Sequence, residues 1–135
     1  MCARGRVAEV VALDGSYADF PNDPNVSVVH LRGMKEREGA MIVRSAAGTT
    51  AVFNDAILNM KPGGGMMMGF FLAPLGRLSI PRYARWMLIK DRGELRGHLD
   101  EIAQTSGLER VIVGHGDTVN ERASEALSNA AAELS

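Results

Sequence analysis

The chain has 135 residues, a formal net charge of −1 and 46% hydrophobic residues. That length suits one domain spanning residues 1–135, and the apolar content supports a buried core and excludes a disordered chain. The near-neutral charge excludes a nucleic-acid binder that works by bulk positive charge, and the longest apolar stretch, Met66 to Leu75, falls short of the roughly 20 residues a bilayer span requires.

Val7 to Leu13 is an apolar run closed by Asp14-Gly15, which predicts a strand and a turn. Tyr17 to Asn25 carries two prolines and several Asp and Asn residues and reads as loop. Val26 to Leu31 predicts a second strand. Ala40 to Val43 and Thr49 to Phe53, joined by Arg44 to Gly48, predict a β-hairpin. Lys61 to Gly65 is a breaker, and Gly63-Gly64-Gly65 lacks the Lys-Ser/Thr that a phosphate loop needs, so it reads as a hinge. Met66 to Ala73 predicts a short apolar helix. Pro81 suits the first turn of a helix carrying Tyr83, Trp86, Met87 and Lys90. Leu95, Leu99, Ile102 and Ala103 form a helical stripe that Gly107 would end. Arg110 to Val113 predicts the last strand. Thr118 with Glu121 has the spacing of a capping box, and Ala123, Ala126, Leu127, Ala130 and Leu134 would line one face of the closing helix. The order is β-rich first and mixed afterwards.

Few side chains offer chemistry. The histidines His30, His98 and His115 show no H-x-H or H-x-x-x-H spacing. His98, with Glu94 and Glu101 within helical reach, reads as a helix-surface residue, and His30 as the end of a strand. His115 follows the apolar Val111-Ile112-Val113 and is flanked by Gly114 and Gly116. A histidine at such a strand tip is either a site residue, as metal ligand or acid–base group, or a turn residue. Asp55 follows the apolar Ala51-Val52-Phe53, where it either binds a metal or caps the next turn. Asp117 suits the N-terminus of the last helix. Ser45 and Ser79 lack a nucleophile-elbow context. Cys2 is the sole cysteine and has no neighbouring histidine, which excludes an intramolecular disulfide and makes it an improbable nucleophile. With polar residues directly after Met1, it predicts a cytoplasmic protein.

Thr49-Thr50-Ala51-Val52-Phe53-Asn54-Asp55-Ala56-Ile57-Leu58 resembles the strand-plus-aspartate segment of the metallo-β-lactamase superfamily. Val111-Ile112-Val113-Gly114-His115-Gly116-Asp117 is similar to that superfamily's last strand and Gly-His-Gly motif. The likeness runs from about Val26 to Leu134 and corresponds to the C-terminal half of the family's fold. It implies an α/β protein: half of an αββα sandwich, a mixed sheet with helices packed on one face. It implies Asp55 and His115 as metal ligands, for zinc or else iron or manganese. The family's His-x-His-x-Asp-His motif is absent from this sequence, and Met34 stands at the turn where a further histidine ligand would be.

Two ligands fall short of the three that a catalytic zinc takes from its protein. Three explanations stay open: a piece of a longer protein, a member without metal chemistry, or two copies that complete one another. A halved sandwich leaves one sheet face uncovered, which motivates a homodimer, and the Met66–Leu72 segment would serve such an interface or an apolar ligand pocket. The expectation is a shortened, non-catalytic or cryptic member that binds no metal or an incomplete complement. The alternative is a hydrolase of ester, lactone, amide or phosphoester bonds with a site completed by a second chain.

Overall fold

The computed structural model describes residues 19, 21–35, 38–61 and 73–135. The strand expected at Val7–Leu13, the glycine hinge at 63–65, the helix expected over Met66–Ala73 (all but Ala73) and Cys2 lie outside them. Among the described residues the fold is mixed α/β, with an open four-stranded sheet and three helices.

Strands β1 (Val26–His30), β2 (Gly39–Ser45), β3 (Gly48–Phe53) and β4 (Leu108–Val113) lie in the order β1-β2-β3-β4. The β1–β2 and β2–β3 pairs are antiparallel, and β3–β4 is parallel. The expected hairpin is β2–β3. Its turn is Ala46-Ala47, braced by the Ser45 hydroxyl, which donates to Gly48 O at 3.2 Å and accepts from Ala47 N–H at 3.2 Å. That is the work of Ser45 in this fold.

Period-two alternation gives the sheet two different faces. Ala40, Ile42, Ala51, Phe53, Val111 and Val113 are buried and belong to one core cluster with the helices. On the opposite face the register sets Val28, Met41, Val52 and Ile112 side by side as a half-buried apolar row. They line a groove of about 420 Å³.

The helices are α1 (Arg82–Met87), α2 (Arg92–Ala103) and α3 (Ala123–Ala132). Pro81 precedes the first turn of α1, as expected, but the helix stops before Lys90. The carbonyl of Gly33 accepts from both Lys90 N–H (2.7 Å) and Asp91 N–H (2.9 Å), which draws the chain out of the helix. Asp91 then caps α2 by accepting from Glu94 N–H at 3.0 Å. Leu95, Leu99, Ile102 and Ala103 form the buried stripe of α2. That helix ends at Ala103, and Gly107 sits later, in the turn into β4.

The capping box expected at Thr118 and Glu121 is not made. Helix α3 starts at Ala123, and its cap position is Arg122, in the left-handed region at φ 52°, with no side-chain cap bond. The intervening chain is occupied otherwise: Val119 pairs with Val111 through two backbone bonds of 2.9 Å, and Asn120 accepts from Arg110 Nε at 2.9 Å. Asp117 therefore lies away from the helix, ion-paired with Lys61 at 3.3 Å. The α3 face is as expected in Ala123, Leu127 and Ala130, with Ala131 buried too and Ala126 partly so, whereas Leu134, though buried, lies past the helix end at Ala132. Glu133, next to the helix end, is held by Arg85 (2.6 Å) and Arg77 (3.1 Å) and ties α3 to α1.

Candidate functional site

Parallel pairing of β3 with β4 brings their carboxyl ends to one edge of the sheet, where open α/β sheets form ligand crevices. Phe53 pairs with Val113, so the residues that follow, Asn54-Asp55 and Gly114-His115, leave the sheet side by side. Antiparallel β2 starts at the same edge and β1 ends there, His30 pairing with Gly39. Four chain segments thus deliver His30, Glu38, Asp55 and His115 to one end of the sheet.

Asp55 and His115, sixty positions apart (115 − 55), come together: Asp55 Oδ1 lies 3.2 Å from His115 Nε2. The His115 side chain is 65% exposed and that of Asp55 40% exposed, so the pair faces outward. Two donors at about 2.0–2.2 Å from one zinc ion, in tetrahedral geometry, stand a little over 3 Å apart. The observed separation suits a hydrogen bond and a shared cation equally.

Both flanking glycines have a local reason. A Cβ on Gly114 would come within 3.0 Å of Asn54 Oδ1, so its absence lets the two loops lie close. Gly116, at φ +118°, packs on the backbone of Asn59, where a Cβ would lie 1.9 Å from the carbonyl oxygen. Asn59 N–H donates to His115 O at 3.1 Å, and Asp117 N–H donates to Asn59 O at 2.9 Å. The histidine is held by backbone on both sides, while its ring meets the Asp55 carboxylate.

Two neighbours escape a reading of the sequence. Glu38, only 7% exposed, is a buried carboxyl beside this edge. Burial, and next the negative charge of Asp55, push it above the usual carboxylate range, while hydrogen bonding from the backbone N–H groups of Asp55 and Ala56 pulls it down. Its Oε2 atom has no hydrogen-bond partner among the described residues. Tyr83 on α1 is half-buried, and burial followed by the charges of Asp55 and Glu38 pushes its phenol up, which keeps the hydroxyl protonated. Glu38 closes the charged run Lys35-Glu36-Arg37-Glu38, which reads as solvated surface; the glycine that follows it at a strand start is the one hint of a special position.

The other candidates lie elsewhere. His98 is more than a surface residue, because its Nδ1 accepts from Arg32 N–H at 3.0 Å and so ties α2 to the turn after β1. Burial, then the neighbouring Arg32 guanidinium, hold its imidazole below the ordinary value, with Glu101 opposing and His30 adding to the effect. Met34 is buried in the core and bridges to Ile89. Ser79 is fully buried, its hydroxyl bonded to the carbonyls of Pro74 (3.0 Å) and Arg77 (3.1 Å). Among the described residues no group of three or more His, Cys, Asp or Glu side chains is placed to hold a metal ion, and no helix is long and apolar enough to cross a membrane. A scan against protein-family models finds no match to the chain, and a search of curated proteins finds none.

Proposed function

We propose that this chain is a shortened metallo-β-lactamase-like protein that carries one aspartate and one histidine of that family's ligand set and is non-catalytic by itself. The observation that carries the reading is the meeting of Asp55 and His115 at the ends of two parallel neighbouring strands. It joins the two segments that resemble the family, which supports reading them as parts of one ligand set.

The donor set supports the non-catalytic reading. A hydrolytic zinc centre takes three protein ligands and keeps a fourth position for water. Here two donors converge, and no third carboxylate, histidine or cysteine joins them among the described residues. Met34, at the turn where the resemblance would set another ligand, is instead packed in the core. The pair therefore does not fit a complete zinc, iron or manganese centre.

A second reading is favoured by the exposure of the pair and by the half-buried apolar row of Val28, Met41, Val52 and Ile112 on the other face of the sheet. In that reading two copies form an isologous homodimer, and a second chain supplies the missing ligands of an ester, lactone, amide or phosphoester hydrolase. The single cysteine of the chain makes no demand for an oxidising compartment, which fits a cytoplasmic protein.

Elemental analysis of protein purified without chelator, beside His115→Ala, separates the two. The first reading expects less than one equivalent of metal and no esterase, lactonase or phosphodiesterase turnover under metal-replete conditions. Stoichiometric zinc, iron or manganese that disappears in His115→Ala would overturn it in favour of the second.

A further inference from the structure

Among the described residues, the large apolar side chains left exposed are Trp86, 85% exposed, and Met87, 65% exposed. They are neighbours on α1, and the rest of that helix is engaged. Ala84 is fully buried, Tyr83, Leu88 and Ile89 pack against the core, and Arg85 is held by Glu133 at 2.6 Å. The helix is thus fixed to the body by its other sides and presents these two side chains outward.

Their surroundings are cationic. From Arg82 to Arg92 the chain carries four basic residues, Arg82, Arg85, Lys90 and Arg92, against one acidic residue, Asp91, in a protein whose net charge is −1. The Asp91 carboxylate is engaged in capping α2, where it accepts from Glu94 N–H at 3.0 Å. Arg82, Lys90 and Arg92 are exposed, and Arg82 lies one helical turn before Trp86 on the same side. Lys35 reaches the patch from the chain that follows β1: its Nζ donates to Met87 O at 2.8 Å and its N–H to Leu88 O at 2.9 Å.

Exposed apolar side chains ringed by cations fit an occupant that is anionic and partly apolar. Trp86 and Met87 present on the order of 300 Å² of apolar surface, against roughly 800 Å² per partner in a stable protein interface. A second copy docked by a two-fold would also set the cations of one protomer against the same cations of the other. The headgroup layer of an anionic membrane meets both features. Tryptophan rings settle at that depth, long basic side chains reach the headgroups, and small contributions add without a threshold of area.

We propose that α1 together with Lys35 is a peripheral docking patch for an anionic lipid surface. Trp86 and Met87 enter the headgroup layer, while Lys35, Arg82, Lys90 and Arg92 meet its phosphates and carboxylates. The chain lies on the membrane and does not cross it. The patch owes nothing to how the Asp55–His115 pair is read.

Trp86 is the one tryptophan of the chain, so its fluorescence reports on this patch alone. Vesicles of phosphatidylcholine mixed with phosphatidylserine should shift its emission to the blue, shield it from acrylamide and carry the protein down on sedimentation. Vesicles of phosphatidylcholine alone should do none of these. Added salt should release the protein, because it screens the cations. Lys90→Gln and Arg92→Gln should each weaken binding about fivefold, the share of one surface cation. Trp86→Ala should weaken co-sedimentation about tenfold or more. All three side chains are exposed, so these variants should keep the fold, which circular dichroism checks. Vesicles that leave emission and sedimentation unchanged would overturn the proposal, as would vesicle binding that the three substitutions leave intact. Emission that shifts with polyglutamate and not with vesicles would overturn it in favour of an acidic protein partner. A blue shift that grows with protein concentration without lipid, together with a dimer lost in Trp86→Ala, would overturn it in favour of a second copy.

Discussion

Alanine at Gly116 and alanine at Gly97 should move the stability of this protein in opposite directions. Gly97 lies inside α2 with nothing within 4 Å of where its Cβ would be. Gly97→Ala therefore gains helix propensity without a clash and should stabilise by about 0.5–1 kcal/mol. Gly116 meets two penalties. Its φ of +118° is a conformation that costs a residue with a side chain about 1–3 kcal/mol. Its Cβ would also sit 1.9 Å from Asn59 O and 2.2 Å from the carbonyl carbon, and a peptide group cannot rotate away as a side-chain end can. To relieve that contact, Asn59 must retreat. It would surrender its bond to His115 O (3.1 Å), the bond from Asp117 N–H (2.9 Å) and its own Nδ2 bond to Asp117 O (2.7 Å). At about 1 kcal/mol for each bond, and less for those that water replaces, the total destabilisation is about 3–5 kcal/mol. That is a large share of the roughly 5–15 kcal/mol that holds a domain of this kind folded. Urea denaturation of the two variants and the parent reads both signs in one experiment. A Gly116→Ala variant that lost less than about 1 kcal/mol, the scale of an unremarkable surface change, would refute the close approach of Asn59 to the His115 loop.

His98 predicts a dependence on pH. Its folded imidazole is held below the ordinary value, so the native state binds fewer protons than the unfolded chain between the lowered value and about 6.5. Its contribution is complete above about pH 6.5 and is lost as pH falls through that window. His98→Asn keeps an acceptor for Arg32 N–H without titrating; chemical denaturation between pH 5 and 7 should show a flatter slope, and an unchanged slope would exclude His98 as its source. The arginines around Glu133 should differ in weight. Arg85→Ala removes the shorter, more buried contact at 2.6 Å and should cost about 2 kcal/mol. Arg77→Ala removes a half-exposed partner and should cost under about 1 kcal/mol. Equal losses in thermal and urea denaturation would contradict that division.

Periodicity made the hairpin, the α2 stripe and the apolar strand before His115 legible, because each depends on residues close in sequence. Asp55 and His115 were legible as strand-end residues beside glycine and asparagine. Their contact was foreseeable only through the resemblance, since parallel pairing across sixty positions leaves no local trace. The misreadings share one cause, which is capture of a segment by a distant backbone group. The Gly33 carbonyl ends α1 early, and the Val111 backbone takes Val119, leaving Thr118 and Glu121 too far from the start of α3 to cap it. Glu38 was hidden for a different reason: a charge in a charged run gives no sign that tertiary structure will bury it.

The pairing of Val119 with Val111 has a consequence for how these molecules meet one another. Among the described residues β4 is the last strand on its side of the sheet, and an unprotected last strand accepts further strands from other chains. Val119 takes up both backbone groups of Val111 on that outer side, halfway along the strand, and Asn120 holds the neighbouring Arg110 side chain. A foreign strand would have to peel this short segment away before it could add. Residues that a local pattern would assign to starting a helix thus serve as a guard against self-association, and loosening them should expose β4 to fibril-like stacking before it disturbs the core.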